Sequence, residues 1–140
     1  MPDIVQEPTI ETTPEKVFSA ITLQDELAQW WTNHVTAEPK VGSLAKFSFD
    51  NGAVVFQMEV AELDPAKKVH WIVRHGPPHW EGTTVTWDLT PVKNGTKLLF
   101  GHHGFATVDA AYEQTREGWE YFLGSLKSYL ETGKGTPHVY

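Results

Sequence analysis

Between Phe47 and His102 apolar and polar residues alternate in short runs, and beyond Val108 the alternation gives way to a helical period. Phe47 and Phe49 share one face of a strand, with Lys46 and Ser48 opposite. Val54, Phe56, Met58 and Val60 line a second face, backed by Val55, Gln57, Glu59 and Ala61. Val69, Trp71 and Val73 point inward against His70, Ile72 and Arg74, and Thr83, Val85, Trp87 and Leu89 do so against Thr84, Thr86, Asp88 and Thr90. Leu98, Phe100 and His102 continue the inward face. Turn signals part the runs: Asn51-Gly52, Asp64-Pro65, the loop Gly76-Pro77-Pro78, and Asn94-Gly95. From about Val108 to Thr132 a helix is predicted, with Tyr112, Trp119, Phe122, Leu123, Leu126 and Leu130 on one stripe and Arg116 inside it. Gly133 and Gly135 end it.

The N-terminal part begins with a β-branched stretch, Ile4 to Glu11, read as one strand. Thr13-Pro14-Glu15 starts a helix, because threonine caps, proline suits the first helical position and glutamate suits the positive end. Val17, Phe18 and Ile21 form its apolar face. A second short helix from about Gln24 buries Leu27, Trp30 and Trp31, and Pro39 to Ser43 turn the chain. Strands in succession followed by one long helix make an α+β fold rather than a parallel βαβ sheet. With no repeat or linker in view, residues 1–140 read as one domain.

Composition narrows the function classes. The absence of cysteine excludes disulfides, thiolate metal sites and cysteine nucleophiles. A formal net charge of −7 argues against nucleic acid, which demands a basic face. No stretch reaches the ~20 apolar residues of a membrane helix, and Met1-Pro2-Asp3 does not open a signal peptide. The expectation is a cytoplasmic protein with no nucleic-acid or membrane partner.

Three stretches carry a family resemblance. Ile21-Thr22 through Trp30-Trp31 resembles the opening signature of the family named after the activator of Hsp90 ATPase. Gly118-Trp119 with Leu123, Leu126, Tyr129, Leu130 and Glu131 resembles the end of its C-terminal helix, and Trp80 to Leu89, with Glu81-Gly82-Thr83, fits its middle. The resemblance implies the START-like helix-grip fold: a curved antiparallel sheet around a long C-terminal helix, with two short helices after the first strand. It also implies an apolar or aromatic ligand in a cavity beneath that helix, and a chaperone as a second kind of partner.

Candidate ligand-binding residues follow from the inward faces. Phe47, Phe56, Trp71, Trp87 and Phe100 come from the sheet, opposed by Trp30, Tyr112, Trp119 and Phe122. These aromatics wall a cavity suited to a flat lipid-, polyketide- or flavonoid-like molecule, or simply fill a packed core. His75, His102 and Arg116 fall on the same apolar face by spacing; the ordinary alternative puts each at a rim, reaching solvent. Seven histidines invite a metal, but Gly76-Pro77-Pro78 bars a helix that would align His75 with His79, and the neighbours His102 and His103 face opposite ways. No metal or cofactor is expected. Phosphate loops and nucleophile elbows are absent from the sequence. An acid–base enzyme of cyclase or hydratase type, working through His102 or His75, is the alternative to a binding domain. A chaperone-associated interaction module is the third reading.

Overall fold

The computed structural model describes residues 3–49 and 54–137. The Asn51-Gly52 turn lies outside them. Eight strands and three helices follow in the order β1 (Ile4–Gln6), β2 (Thr9–Ile10), α1 (Pro14–Thr22), α2 (Gln24–Trp30), β3 (His34–Thr36), β4 (Leu44–Phe49), β5 (Val54–Asp64), β6 (Lys68–His75), β7 (Thr84–Val92), β8 (Gly95–His103) and α3 (Ala110–Thr132). The strands form one antiparallel sheet in the order β1-β8-β7-β6-β5-β4-β3, with β2 also paired to β8. The sheet grips α3, as the alternation and the long stripe imply. No helix among the described residues is long and apolar enough to cross a membrane.

Local chemistry sets the element ends. The Thr13 hydroxyl accepts from the Lys16 N–H with Pro14 in the first turn of α1, and the Asp109 carboxylate accepts from the Tyr112 N–H to open α3. Gly133, at φ +88°, closes α3 in the left-handed conformation. The stretch read as one N-terminal strand is two short pieces, because Pro8 has no N–H for the ladder; its carbonyl still accepts from the Leu98 N–H at 2.9 Å. Where β8 begins, a side chain at Gly95 would strike the Ile10 carbonyl oxygen, so the hairpin needs glycine to seat β2 against it.

Two register shifts bend the sheet. Between Val60 and Glu62 the pairing with β6 passes over Ala61, and Leu63 then packs against the core. Between Gln57 and Met58 it passes over Arg74. The second shift corrects one expectation. Met58 pairs with inward Val73, but Gln57 pairs with His75, so His75 turns to the outer face with its side chain 60% exposed and 3.9 Å from Glu81. Strand β3 was not foreseen; its sequence His34-Val35-Thr36 carries no strong period and pairs only with β4.

His102 and His103 do face opposite ways. His103 contacts Asp3 at 3.2 Å and Thr86 at 3.0 Å on the outer side, holding the Asp3 carboxyl below its usual range. Half-exposed pairs of this kind contribute little. His103→Ala should cost about 1 kcal/mol or less in urea unfolding; a loss several times larger would mean that this outer cluster anchors β1.

Candidate functional site

The inward aromatics divide into a packed core and an open pocket. Trp30, Phe47, Trp71, Trp87 and Phe100 are almost fully buried and lie against one another, with Trp87 touching Trp30, Trp71 and Phe100. They do not line the pocket. They form its floor, a correction to their assignment as ligand contacts: the layers close over them, which alternation alone does not reveal.

In front of this floor lies a pocket of about 350 Å³. From α3 it is lined by Ala111, Gln114, Thr115, Gly118, Trp119 and Phe122, which recur at helical spacing along one stripe. Phe49 and Phe56 come from β4 and β5, Trp31 from the end of α2, and Pro77, His79 and Trp80 from the loop after β6. Six aromatic rings therefore surround the space. Trp119 and Trp80 lie nearly parallel with centroids 5.9 Å apart, Trp31 is 5.0 Å from Trp119, and Phe56 is 4.3 Å from Trp80. Gly118 leaves its part of the wall bare, since a Cβ built there meets nothing within 4 Å.

Of the expected site residues, Phe56, Trp119 and Phe122 reach this pocket. Tyr112 instead lines a smaller hollow of about 120 Å³ beside Phe105, and its hydroxyl donates to the Asp3 carbonyl. Arg116 is a further correction. It lies 41% exposed on α3, paired with Glu113 at 3.0 Å and Glu120 at 3.5 Å, because the stripe in that turn runs through Thr115. Trp31 and Phe49 were assigned inward faces but not the site. Pro77, His79, Trp80, Ala111, Gln114, Thr115 and Gly118 line the pocket without being among the expected site residues, and of these only the tryptophan in the loop carries a signal in the sequence.

His102 is fully buried behind the pocket. The Trp119 indole N–H donates to His102 Nδ1 at 3.0 Å, so that nitrogen carries a lone pair and Nε2 carries the proton. Nε2–H donates to Thr83 Oγ1 at 2.8 Å, and the threonine hydroxyl donates to the Trp80 carbonyl. Burial pushes the imidazole down to about 3, with His103 and His79 adding to the effect. Both nitrogens are engaged within the fold, and His102 does not line the pocket. It links the two tryptophans that wall the pocket.

Comparison with known proteins agrees with this architecture. The family model for the activator of Hsp90 ATPase homolog 1-like protein matches residues 11–131. The Aha1 dimer of Colwellia psychrerythraea, solved in solution, is similar over 96% of this chain and 100% of that one, with 35% identity and a TM-score of 0.89. A Mesorhizobium loti protein is 30% identical over 92% of this chain and 96% of its own, with a TM-score of 0.81. DynU16, from the dynemicin biosynthetic locus, is 26% identical over 95% of this chain but 48% of its own, with a TM-score of 0.79. Among curated proteins none matches. With the sheet, the gripped helix and the family pattern all in agreement, the chain belongs to the activator of Hsp90 ATPase homolog 1-like family and has its helix-grip fold.

Proposed function

We propose that the chain binds a small, flat, apolar molecule, lipid-, polyketide- or flavonoid-like, in the pocket between Trp80, Trp119 and Phe122. The observation that carries this reading is the composition of the wall: six aromatic rings around about 350 Å³, with no lysine, arginine, aspartate or glutamate among the lining residues. That volume falls within the usual range for small-molecule sites, and such walls suit planar apolar ligands. The likeness to a protein of the dynemicin biosynthetic locus is in keeping with a small-molecule ligand. The two histidines that an acid–base enzyme was expected to use do not serve the pocket: both ring nitrogens of His102 are engaged, and His75 lies on the outer face. A chaperone partner rests on the family description alone.

The test pairs binding with a filled pocket. Planar polycyclic compounds should shift tryptophan emission saturably and raise the thermal midpoint, since a ligand for the folded state stabilises it. Gly118→Leu should abolish both responses. That variant should fold at least as well as the parent, because removing a mid-helix glycine favours the helix by about 0.5–1 kcal/mol. A panel that gives no saturable response, or a response unchanged in Gly118→Leu, would rule out this pocket.

A further inference from the structure

The polar corner of the same pocket narrows the ligand class, on the reading that the pocket binds a ligand at all. Thr115 Oγ1 sits at the meeting point of three hydrogen bonds. Its shortest contact, 2.9 Å to the Ala111 carbonyl, takes the hydroxyl's single proton. The Trp80 indole N–H donates to the oxygen at 3.0 Å. The third contact is His79 Nε2 at 3.2 Å. A hydroxyl has one proton to give and two lone pairs to receive with. With the proton on Ala111 and one lone pair on Trp80, His79 must donate through Nε2–H. A neutral imidazole then keeps only a lone pair at Nδ1.

The Trp87 N–H in the floor has no partner among the described residues, but that ring is fully buried and does not line the space. The polar groups of Thr115, Trp80 and Trp119 are committed. Thr115 is saturated, the Trp80 N–H is held by Thr115, and the Trp119 N–H is held by His102. His79 lines the pocket, and its Nδ1 makes no hydrogen bond or ion pair among the described residues, although Asp109 feels the ring's charge. The wall carries no lysine or arginine to hold an anion. Glu81 and Asp109 border the hollow that shares His79 as a wall, and their charges oppose a carboxylate there. Gln114 also lines the pocket, but its amide serves donors and acceptors alike and so does not discriminate.

We infer that the pocket selects neutral ring compounds carrying a hydroxyl or N–H donor, received by His79 Nδ1, over ethers and carboxylates of the same shape. A phenol satisfies the aromatic wall and the lone pair together. The methyl ether leaves that acceptor unpaired, and the carboxylate sets an unpaired charge against apolar rings.

Three naphthalenes of matched shape provide the test. Binding of 2-naphthol, 2-methoxynaphthalene and 2-naphthoate is measured by calorimetry at pH 7.5 with the wild-type protein and with His79→Phe. Naphthol should bind three- to tenfold more tightly than its ether, the ratio expected of one neutral hydrogen bond, and naphthoate should bind more weakly than naphthol. In His79→Phe the gap between naphthol and ether should close to within about twofold, as expected when that bond is gone. Equal affinities in the wild type, or a tighter ether or naphthoate, would overturn the donor preference and leave the binding reading standing. A gap that persists in the variant would overturn its assignment to His79. Failure of all three compounds to bind the wild-type protein would count against the binding reading itself. The wild-type comparison does not depend on how the variant folds.

Discussion

Acidification is expected to weaken this fold by up to about 5 kcal/mol through one side chain, His102. An unfolded histidine takes its proton near pH 6.5, whereas the folded one resists until about 3. At about 1.4 kcal/mol per unit, that difference gives the figure. The sign follows from proton binding. Between those two values the unfolded chain binds more protons, so the contribution is complete above about pH 6.5 and falls away as the pH drops toward about 3. The physical event is the loss of the Nδ1 lone pair that receives the Trp119 N–H, together with a charge placed in a dry aromatic setting. Urea unfolding at several pH values between 7.5 and 4, for the wild type and His102→Gln, measures it. The wild-type stability should drop more steeply than the variant's, by about 1.4 kcal/mol per pH unit across the middle of that range. Parallel curves would show that the imidazole titrates normally. Depressed carboxyls such as Asp3 and Glu131 add losses at still lower pH, common to both proteins.

Trp119→Ala should be the most damaging single truncation. Its ring touches Trp31, Trp80, Trp87 and Phe100 and is 2% exposed. Deleting a buried aromatic of that size costs about 3–5 kcal/mol. The change also strips His102 Nδ1 of its donor in a place water does not reach, adding about 1–3 kcal/mol. A domain of ordinary stability, about 5–15 kcal/mol, would be left marginal or unfolded. Trp119→Phe separates the two contributions, since it keeps most of the ring and loses only the N–H. A denaturation midpoint nearly unchanged in the alanine variant would mean that Trp119 belongs to a mobile wall rather than to the core.

The α+β architecture was legible because the inner faces of β6, β7 and β8 keep their period over most of their length. Val69-Trp71-Val73, Val85-Trp87-Leu89 and Leu98-Phe100-His102 all point inward as alternation requires. Alternation assumes an unbroken ladder, however, and the irregularity at Arg74 turned His75 outward without any glycine or proline inside the strand to announce it. On α3 the eye follows apolar residues, which draws the stripe from Tyr112 through Arg116. The buried path instead uses Thr115, whose hydroxyl finds partners on Ala111, Trp80 and His79. The pocket was harder still. It is a space rather than a residue type, and what keeps part of it open is the side chain Gly118 lacks. Its loop wall, Pro77 to Trp80, has no period to read.

The pairing of β1 and β2 with β8 bears on how the chain is made. The segment that leaves the ribosome early has its sheet partners about ninety residues later, and Glu11 and Thr9 are held by Glu131 and Lys127 of the terminal helix. Pairings this distant in sequence fold slowly, because the loop must close before any contact rewards it. A growing chain therefore presents the inner faces of β4 to β7, rich in tryptophan and phenylalanine, before α3 exists to cover them. Folding of this domain waits until α3 has been made, and the nascent chain in that interval is an aggregation-prone species.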